Sequence, residues 1–192
     1  IYIHIPFCKQ KCYYCDFISY CNKDYLICDY VKCLKTELKE VANVIKYNCK
    51  YNNSEPVVID TIYIGGGTPS YIDSKYIKEI METINKSYEL DLEEATIEVN
   101  PKTVDELKLK TYKEAGINRL SMGMQETKDE ILKKIGRIHT YSDFLKTYRI
   151  ARKIGFDNIN IDIMIGLPNQ KLEDVKDTIN KVIELNPEHI SL

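Results

Sequence analysis

Residues 158–168 read NINIDIMIGLP. Isoleucines at 159, 161 and 163 alternate with Asn158, Asn160 and Asp162, and a period of two marks a β-strand. One face of such a strand is apolar, and the other carries an amide and a carboxylate. A buried carboxylate is costly unless it is paired or hydrogen-bonded. Asp162 also falls near the carboxyl end of the strand, where β/α barrels and open α/β sheets hold their ligands. The same pattern recurs upstream, where Thr96 and Glu98 alternate with Ile97 and Val99. Two such strands predict an α/β fold whose polar strand faces converge on a site.

Working outward, strands and helices alternate along the chain. The spacing predicts a first strand at Ile1–Ile5 and a helix from about Asp24 to Tyr47, its apolar stripe being Leu26, Tyr30, Cys33, Leu34, Val41 and Ile45. A polar surface connection, 48–56, leads to a second strand at Val57–Ile64, whose continuous apolar run reads as buried on both faces. The glycine loop Gly65-Gly66-Gly67-Thr68-Pro69-Ser70 follows at once. A helix carrying Ile77, Ile80, Met81 and Ile84 comes next, then a third strand at Ala95–Val99 stopped by Asn100-Pro101. Thr103 and Glu106 have capping-box spacing for a helix ending near Gly116. A fourth strand at Asn118–Met122 enters Gly123-Met124-Gln125, and helices are expected at Asp129–Lys134 and Ser142–Ile154. After the strand at Asn158–Ile163 come a helix at Leu172–Leu185 and a sixth strand at His189–Leu192. Six strands with no hairpin predict an incomplete parallel β/α barrel with its helices outside. A doubly wound sheet shares this order of elements, but the polar residues at strand ends favour the barrel.

The 192 residues suffice for one domain with a real core. Lys plus Arg is 27 and Asp plus Glu is 29, giving a net charge of −2 and no electrostatic case for nucleic acid as a partner. Lysine-rich runs such as Lys108 to Lys113 read as solvated helix faces. No apolar run approaches the roughly 18 residues of a membrane span. The chain opens on Ile1 directly in a strand and stops inside another, so 1–192 is expected to be one core domain of a longer protein, with targeting signals outside it. Seven cysteines, an odd number, in a chain with no sign of a small secreted scaffold suggest a reducing compartment, the cytoplasm or a reducing organelle. Cys33 on its helix stripe reads as a small hydrophobe, and Cys21, Cys28, Cys33 and Cys49 lack a compact ligand spacing.

The other three cysteines are different. In YIHIPFCKQKCYYCDF, residues 2–17, Cys8, Cys12 and Cys15 stand in C-x3-C-x2-C spacing just past the first strand. Thiolates are soft ligands, and such a cluster binds metal more often than it forms disulfides. Three thiolates suit a four-iron cluster with one iron open to a substrate. A zinc knuckle completed by His4 or a distant cysteine is the alternative on spacing alone.

Taken together, YIHIPFC, CYYCDF, TIYIGGGTPS, IEVNP, NRLSMGMQ, the segment Gly136-Arg137-Ile138-His139 and NINIDIMIGLP resemble, in that order, the radical S-adenosylmethionine superfamily. Within it the chain is most similar to the branch of oxygen-independent coproporphyrinogen III dehydrogenases and haem chaperones. The resemblance implies that Cys8, Cys12 and Cys15 ligate a [4Fe–4S] cluster and that S-adenosylmethionine chelates the open iron. One electron into the sulfonium would then release a 5′-deoxyadenosyl radical, chemistry carried by the cofactor. It further implies that Tyr2, Tyr14, Gly66, Gly67, Thr68, Glu98, Gln125, Arg137 and Asp162 bind S-adenosylmethionine. Their chemistry is apt: backbone of the glycine loop for the methionyl amine, Asp162 for ribose or amine, Arg137 for the carboxylate. His4, His139 and His189 read as structural or supporting histidines. The dehydrogenases resemble C-x3-C-x2-C-x-C, whereas Phe17 stands at the last position here. That departure points to the haem-chaperone group, with haem or porphyrin as ligand, transfer of haem to an acceptor, and an electron donor such as flavodoxin or ferredoxin as partner. Radical decarboxylation of porphyrinogen is the alternative. Electron transfer through the cluster alone would leave the glycine loop, Glu98 and Asp162 without a purpose.

Overall fold

The computed structural model describes residues 1–192. Six strands form one sheet: β1 Tyr2–Ile5, β2 Val58–Gly66, β3 Glu89–Val99, β4 Arg119–Gln125, β5 Asn158–Ile163 and β6 His189–Ser191. Their spatial order is their order in the sequence, and every neighbouring pair is parallel. A doubly wound sheet reverses its strand order at a switch point. This sheet never does, so it is the open β/α barrel that the strand patterns predict.

The helices are α1 Ile27–Tyr51, α2 Ser74–Ser87, α3 Glu106–Glu114, α4 Asp129–Lys134, α5 Tyr141–Ile154 and α6 Leu172–Leu185. The core lies between them and the outer face of the sheet. Ile3, Ile5, Ile62, Ile64, Ile97, Leu120, Met122, Ile159 and Ile161 are buried there with Leu34, Ile77, Ile80, Leu109, Phe144 and Val182 of the helices. Because strand side chains alternate, the same strands turn Tyr63, Thr96, Glu98, Ser121, Asn160 and Asp162 to the other, inner face. No helix is long and apolar enough to cross a membrane.

Several expectations change. The first half of β2 is not buried on both faces: Val58, Asp60 and Thr61 are exposed, because β1 pairs only with Tyr63 to Gly66 and the rest of β2 has one neighbour, β3. That neighbour starts six residues earlier than expected, at Glu89. Helix α1 buries Val31, Leu34, Leu38 and Ala42, so Leu26, Cys33 and Val41 are exposed and Cys33 is not a core hydrophobe. The cap of α3 is Asp105, whose carboxylate accepts from the Lys108 N–H at 2.8 Å. Thr103 instead lies in a preceding 3₁₀ turn and donates to the Asn100 carbonyl at 2.9 Å.

Lys108 departs furthest from its reading as a solvated side chain. It is half-buried, and its ammonium donates to the carbonyls of Ser70, Ile72 and Thr103 at 2.8, 2.9 and 3.0 Å. Those carbonyls belong to the turns that follow β2 and β3, so Lys108 ties the two loops together from below. Ser70, fully buried, completes the tie: its hydroxyl accepts from the Asn100 N–H at 3.0 Å and shares a hydrogen bond with Thr103 at 2.6 Å.

Candidate S-adenosylmethionine and cluster site

The carboxyl ends of the strands open on a single cavity. Cys8, Cys12, Tyr14 and Cys15 reach it from the loop after β1, and Gly66, Gly67 and Thr68 from the end of β2. Glu98 stands on β3, Gln125 on β4, Arg137 after α4, and Asp162 on β5. Eleven of the twelve residues expected there line this cavity, Tyr2 being the exception.

The cysteine loop is held in place by β-type pairing. Phe7 bridges Tyr20, with Cys8 N–H on the Tyr20 carbonyl at 3.0 Å and Tyr20 N–H on that of Pro6 at 2.8 Å. His4 supports the same return: its Nε2–H donates to the Ile18 carbonyl at 2.8 Å, and its Nδ1 accepts from the Tyr2 hydroxyl at 3.0 Å. Tyr2 therefore serves the site through His4, and its ring stacks on Tyr63.

The glycine loop packs directly on the cysteine loop. A Cβ on Gly67 would lie 2.9 Å from Cys8 Sγ and 3.1 Å from the Phe7 carbonyl oxygen. Gly66 has φ +116°, a left-handed backbone that suits glycine, and its missing Cβ makes room for the His4 ring. The N–H groups of Gly66, Gly67 and Thr68 are already spent on Glu98, Ile5 and Phe7. What the loop has to offer a ligand is therefore carbonyl oxygen, the partner an ammonium group needs.

Glu98 and Asp162 are both partly shielded carboxylates on the inner face. Burial pushes both above the usual carboxylate range. Glu98 accepts from the Tyr63 hydroxyl at 2.9 Å and from Gly66 N–H at 3.2 Å. Asp162 accepts from Asn160 Nδ2 at 2.6 Å and from the Ser121 hydroxyl at 3.3 Å. The Asp162 charge adds to the rise at Glu98, while the hydrogen bonds to Asp162 and the Arg137 cation oppose the rise there. A cationic or hydroxyl-bearing ligand would relieve that arrangement.

Arg137 joins three parts of the site. It donates to the Gly123 carbonyl at 2.5 Å, to the Tyr14 hydroxyl at 3.4 Å and to Nδ1 of His139 at 3.4 Å, and it lies 3.9 Å from Cys12 Sγ. His139 is buried and gives its Nε2–H to the Met124 carbonyl at 3.2 Å. Burial, with the Arg137 charge beside it, pulls its pKa down to about 3, so the ring is neutral at ordinary pH. Beside it the β4–β5 pairing shifts register, and Gln125 adopts φ +69°. That turn aims the Gln125 side chain at the cavity. His189 pairs with the Asn160 side chain, as a structural histidine would.

Sequence reasoning missed Tyr63, Ser121 and Glu126. Tyr63 and Ser121 occupy inward positions of strands already identified, so their register carried the signal. Glu126 is fully buried, accepting from Thr127 N–H at 2.7 Å, Thr178 Oγ1 at 2.5 Å and Gln170 Nε2 at 2.6 Å. Gln170 in turn accepts from Gly166 and Leu167 N–H at 2.8 and 3.1 Å, which fixes the loop after Asp162. Nothing local in the sequence announces that hub.

The structure gathers no three His, Cys, Asp or Glu side chains that would hold a single metal ion. A four-iron cluster asks something else, since its cysteines bind different irons. Three free thiols on one loop facing one cavity, with Cys8 Sγ against a Gly67 that leaves no room for a Cβ, fit that group.

The radical SAM superfamily model matches residues 2–182. The chain belongs to the radical SAM superfamily. It is 40% identical over 193 residues to the heme chaperone HemW of Bacillus subtilis, covering 100% of this chain and 48% of the relative. The heme chaperone HemW of Escherichia coli is 37% identical over 193 residues, covering 100% and 49% respectively. The structure is also similar to that of coproporphyrinogen III oxidase (HemN) from Escherichia coli, a radical SAM enzyme, with a TM-score of 0.85, 29% identity, and coverage of 99% of this chain and 43% of that one. The chain thus spans about half the length of the curated relatives it matches. Membership of this superfamily implies a [4Fe–4S] cluster and S-adenosylmethionine as cofactors.

Proposed function

We propose that this chain is the radical SAM core of a haem chaperone, binding the [4Fe–4S] cluster through Cys8, Cys12 and Cys15. The observation that carries the reading is the single cavity on which the cysteine loop, the glycine loop and two half-buried carboxylates converge. Its similarity along its whole length to heme chaperones HemW supports the branch. The three cysteine thiols would hold the cluster, which would supply the electron for reductive cleavage of the sulfonium of S-adenosylmethionine. The chain's own residues hold and orient that ligand. Carbonyl oxygens of the glycine loop accept from its amine, and Arg137 faces its carboxylate. Glu98 and Asp162 accept from amine or ribose hydroxyl, and Tyr14 and Gln125 close the sides. Phe17 lines the cavity where the porphyrinogen dehydrogenases carry a further cysteine, which favours haem binding and transfer to an acceptor over decarboxylation of porphyrinogen. The electron comes from a carrier such as a flavodoxin or ferredoxin.

Anaerobic reconstitution of the intact protein tests the cluster: about four irons per chain are expected. Replacing Cys8, Cys12 or Cys15 by alanine abolishes them, while replacing Cys21, Cys28, Cys33 or Cys49 does not. One tightly bound zinc with no iron-dependent spectrum would overturn the reading. Haem titration and coproporphyrinogen turnover, measured side by side, decide the branch: haem should bind and porphyrinogen should persist.

A further inference from the structure

Cys21 lies outside the cluster motif, yet the fold returns it to Cys8. The chain leaves Cys8, runs through Cys12 and Cys15, and comes back so that Phe7 and Tyr20 pair as parallel strand neighbours. Cys8 N–H and the Tyr20 carbonyl, 3.0 Å apart, close that pairing, and Cys21 is the next residue. Neighbouring strands stand about 4.8 Å apart, within the roughly 4.4–6.8 Å between Cα atoms that a disulfide spans.

Side-chain direction agrees. Phe7 and Tyr20 turn to one side, where they line a groove with Leu26 and Tyr30. Strand alternation turns Cys8 and Cys21 to the other. On that side Cys8 Sγ stands 3.4 Å from Thr68 Oγ1. The Cβ that Gly67 lacks would lie 2.9 Å from Cys8 Sγ and 3.0 Å from Ser19 Cβ. Ser19 shares its strand face with Cys21, two residues on. The Tyr71 hydroxyl, which donates to Asp24 at 2.8 Å, feels the charge of both thiols. Cys21 also bears on Cys8 more than Cys15 does. Both thiols are free, with Cys8 buried and Cys21 partly exposed.

We propose that Cys8 and Cys21 form a reversible disulfide in the cluster-free chain. The proposal rests on the reading of Cys8 as a cluster ligand, since a sulfur bonded to Cys21 cannot also bind iron. Bridge and cluster therefore exclude one another. The oxidant is a small disulfide such as oxidised glutathione. The more accessible Cys21 thiolate attacks it and releases one glutathione, and Cys8 then attacks the Cys21 sulfur and releases the second. Two thiols are oxidised, one disulfide is reduced to two thiols, and both protons pass to the departing glutathiones. The bridge keeps Cys8 of an emptied loop from the irreversible acids higher on the oxidation ladder. A thiol reductant restores the ligand.

The test treats the iron-free intact protein and its C21S variant with oxidised glutathione under nitrogen. Remaining thiols are alkylated in urea, and linkages are mapped by tandem mass spectrometry after trypsin. Lys9 and Lys11 separate Cys8 from the peptide that carries Cys12, Cys15 and Cys21, so a bridge to Cys8 joins two peptides and fragmentation names its partner. Expected in the parent are a Cys8–Cys21 link and loss of Cys8 alkylation, both reversed by dithiothreitol. In C21S, Cys8 should stay open to alkylation. A parent in which Cys8 remains free, or bonds Cys12 or Cys15 instead, would overturn the pairing whatever the variant does. The cluster-loaded parent, treated alike, should give no link. A link formed there with all iron retained would support the pairing but strike Cys8 from the cluster's ligands, and with it that part of the proposed function.

Discussion

The hydroxyl of Tyr63 on β2 donates to Oε1 of Glu98 on β3 at 2.9 Å. The bond lowers a carboxyl pKa that burial raises, while burial and the charge of Glu98 together push the Tyr63 phenol up. Glu98 must be ionised to accept from an ammonium or hydroxyl ligand. Affinity for S-adenosylmethionine is therefore expected to fall as pH is lowered from 7 towards the raised pKa of Glu98. In Tyr63→Phe that fall should begin at higher pH. Equilibrium dialysis across a pH series checks this, and superimposable curves would refute it.

Asp162 should show its contribution as affinity, with the cluster retained. Losing a charge-assisted hydrogen bond costs about 1.5–3 kcal/mol, or roughly one to two decades in Kd. Asp162→Asn keeps the shape and should cost less than Asp162→Ala, which also opens a cavity. Calorimetric titration of both variants gives the comparison. Binding as tight as the parent's would make Asp162 structural.

Two glycines separate crowding from backbone strain. Gly67→Ala drives a Cβ to 2.9 Å from Cys8 Sγ and 3.1 Å from backbone oxygen, whereas Gly155→Ala meets nothing within 4 Å but must hold φ +97°. Gly155→Ala should lose about 1–2 kcal/mol of stability and load iron normally. Gly67→Ala should lower iron content per chain. Iron assay and urea denaturation of the two proteins make the contrast.

Lys108→Met should destabilise by about 2–3 kcal/mol, because it leaves carbonyls of two loops without their charged donor. The urea midpoint falls with the slope unchanged. Lys110→Met, on the exposed side of the same helix and paired only with Glu106, should shift the midpoint far less.

His139 predicts an acid limb of stability. Its native pKa of about 3 lies below the ordinary histidine value of 6.5, so below pH 6.5 the unfolded chain takes up a proton that the native chain refuses. Stability is undiminished above that pH and declines as pH falls towards 3, by up to about 1.4 kcal/mol per unit. In His139→Gln the slope between pH 6 and 4 should be shallower, as measured by urea midpoints.

Glu98 and Asp162 were legible in the sequence because strand alternation is rigid: a carboxylate between isoleucines has one face to go to. The cysteine spacing was legible because one short loop carries all three thiols to the cavity. Lys108 was not, because its partners lie as far as 38 residues away and a lysine between helix residues looks like any other surface lysine. The phase of α1 was obscured by apolar residues around much of its circumference, with Val41 and Val44 exposed and Leu38 and Ala42 buried. The left-handed backbone at Gln125 carries no residue signature, since glutamine has no special liking for it.

The alternation that turns Ile159, Ile161 and Ile163 outward and Asn160 and Asp162 inward also divides the sheet's evolutionary freedom. Odd and even positions of one strand answer to separate selection, the first to the fit against helices and the second to whatever the cavity holds. Replacing inward residues can retune ligand preference while the wall behind them keeps its jigsaw intact. The same six segments can thus be inherited by proteins of divergent chemistry, each rewriting alternate letters.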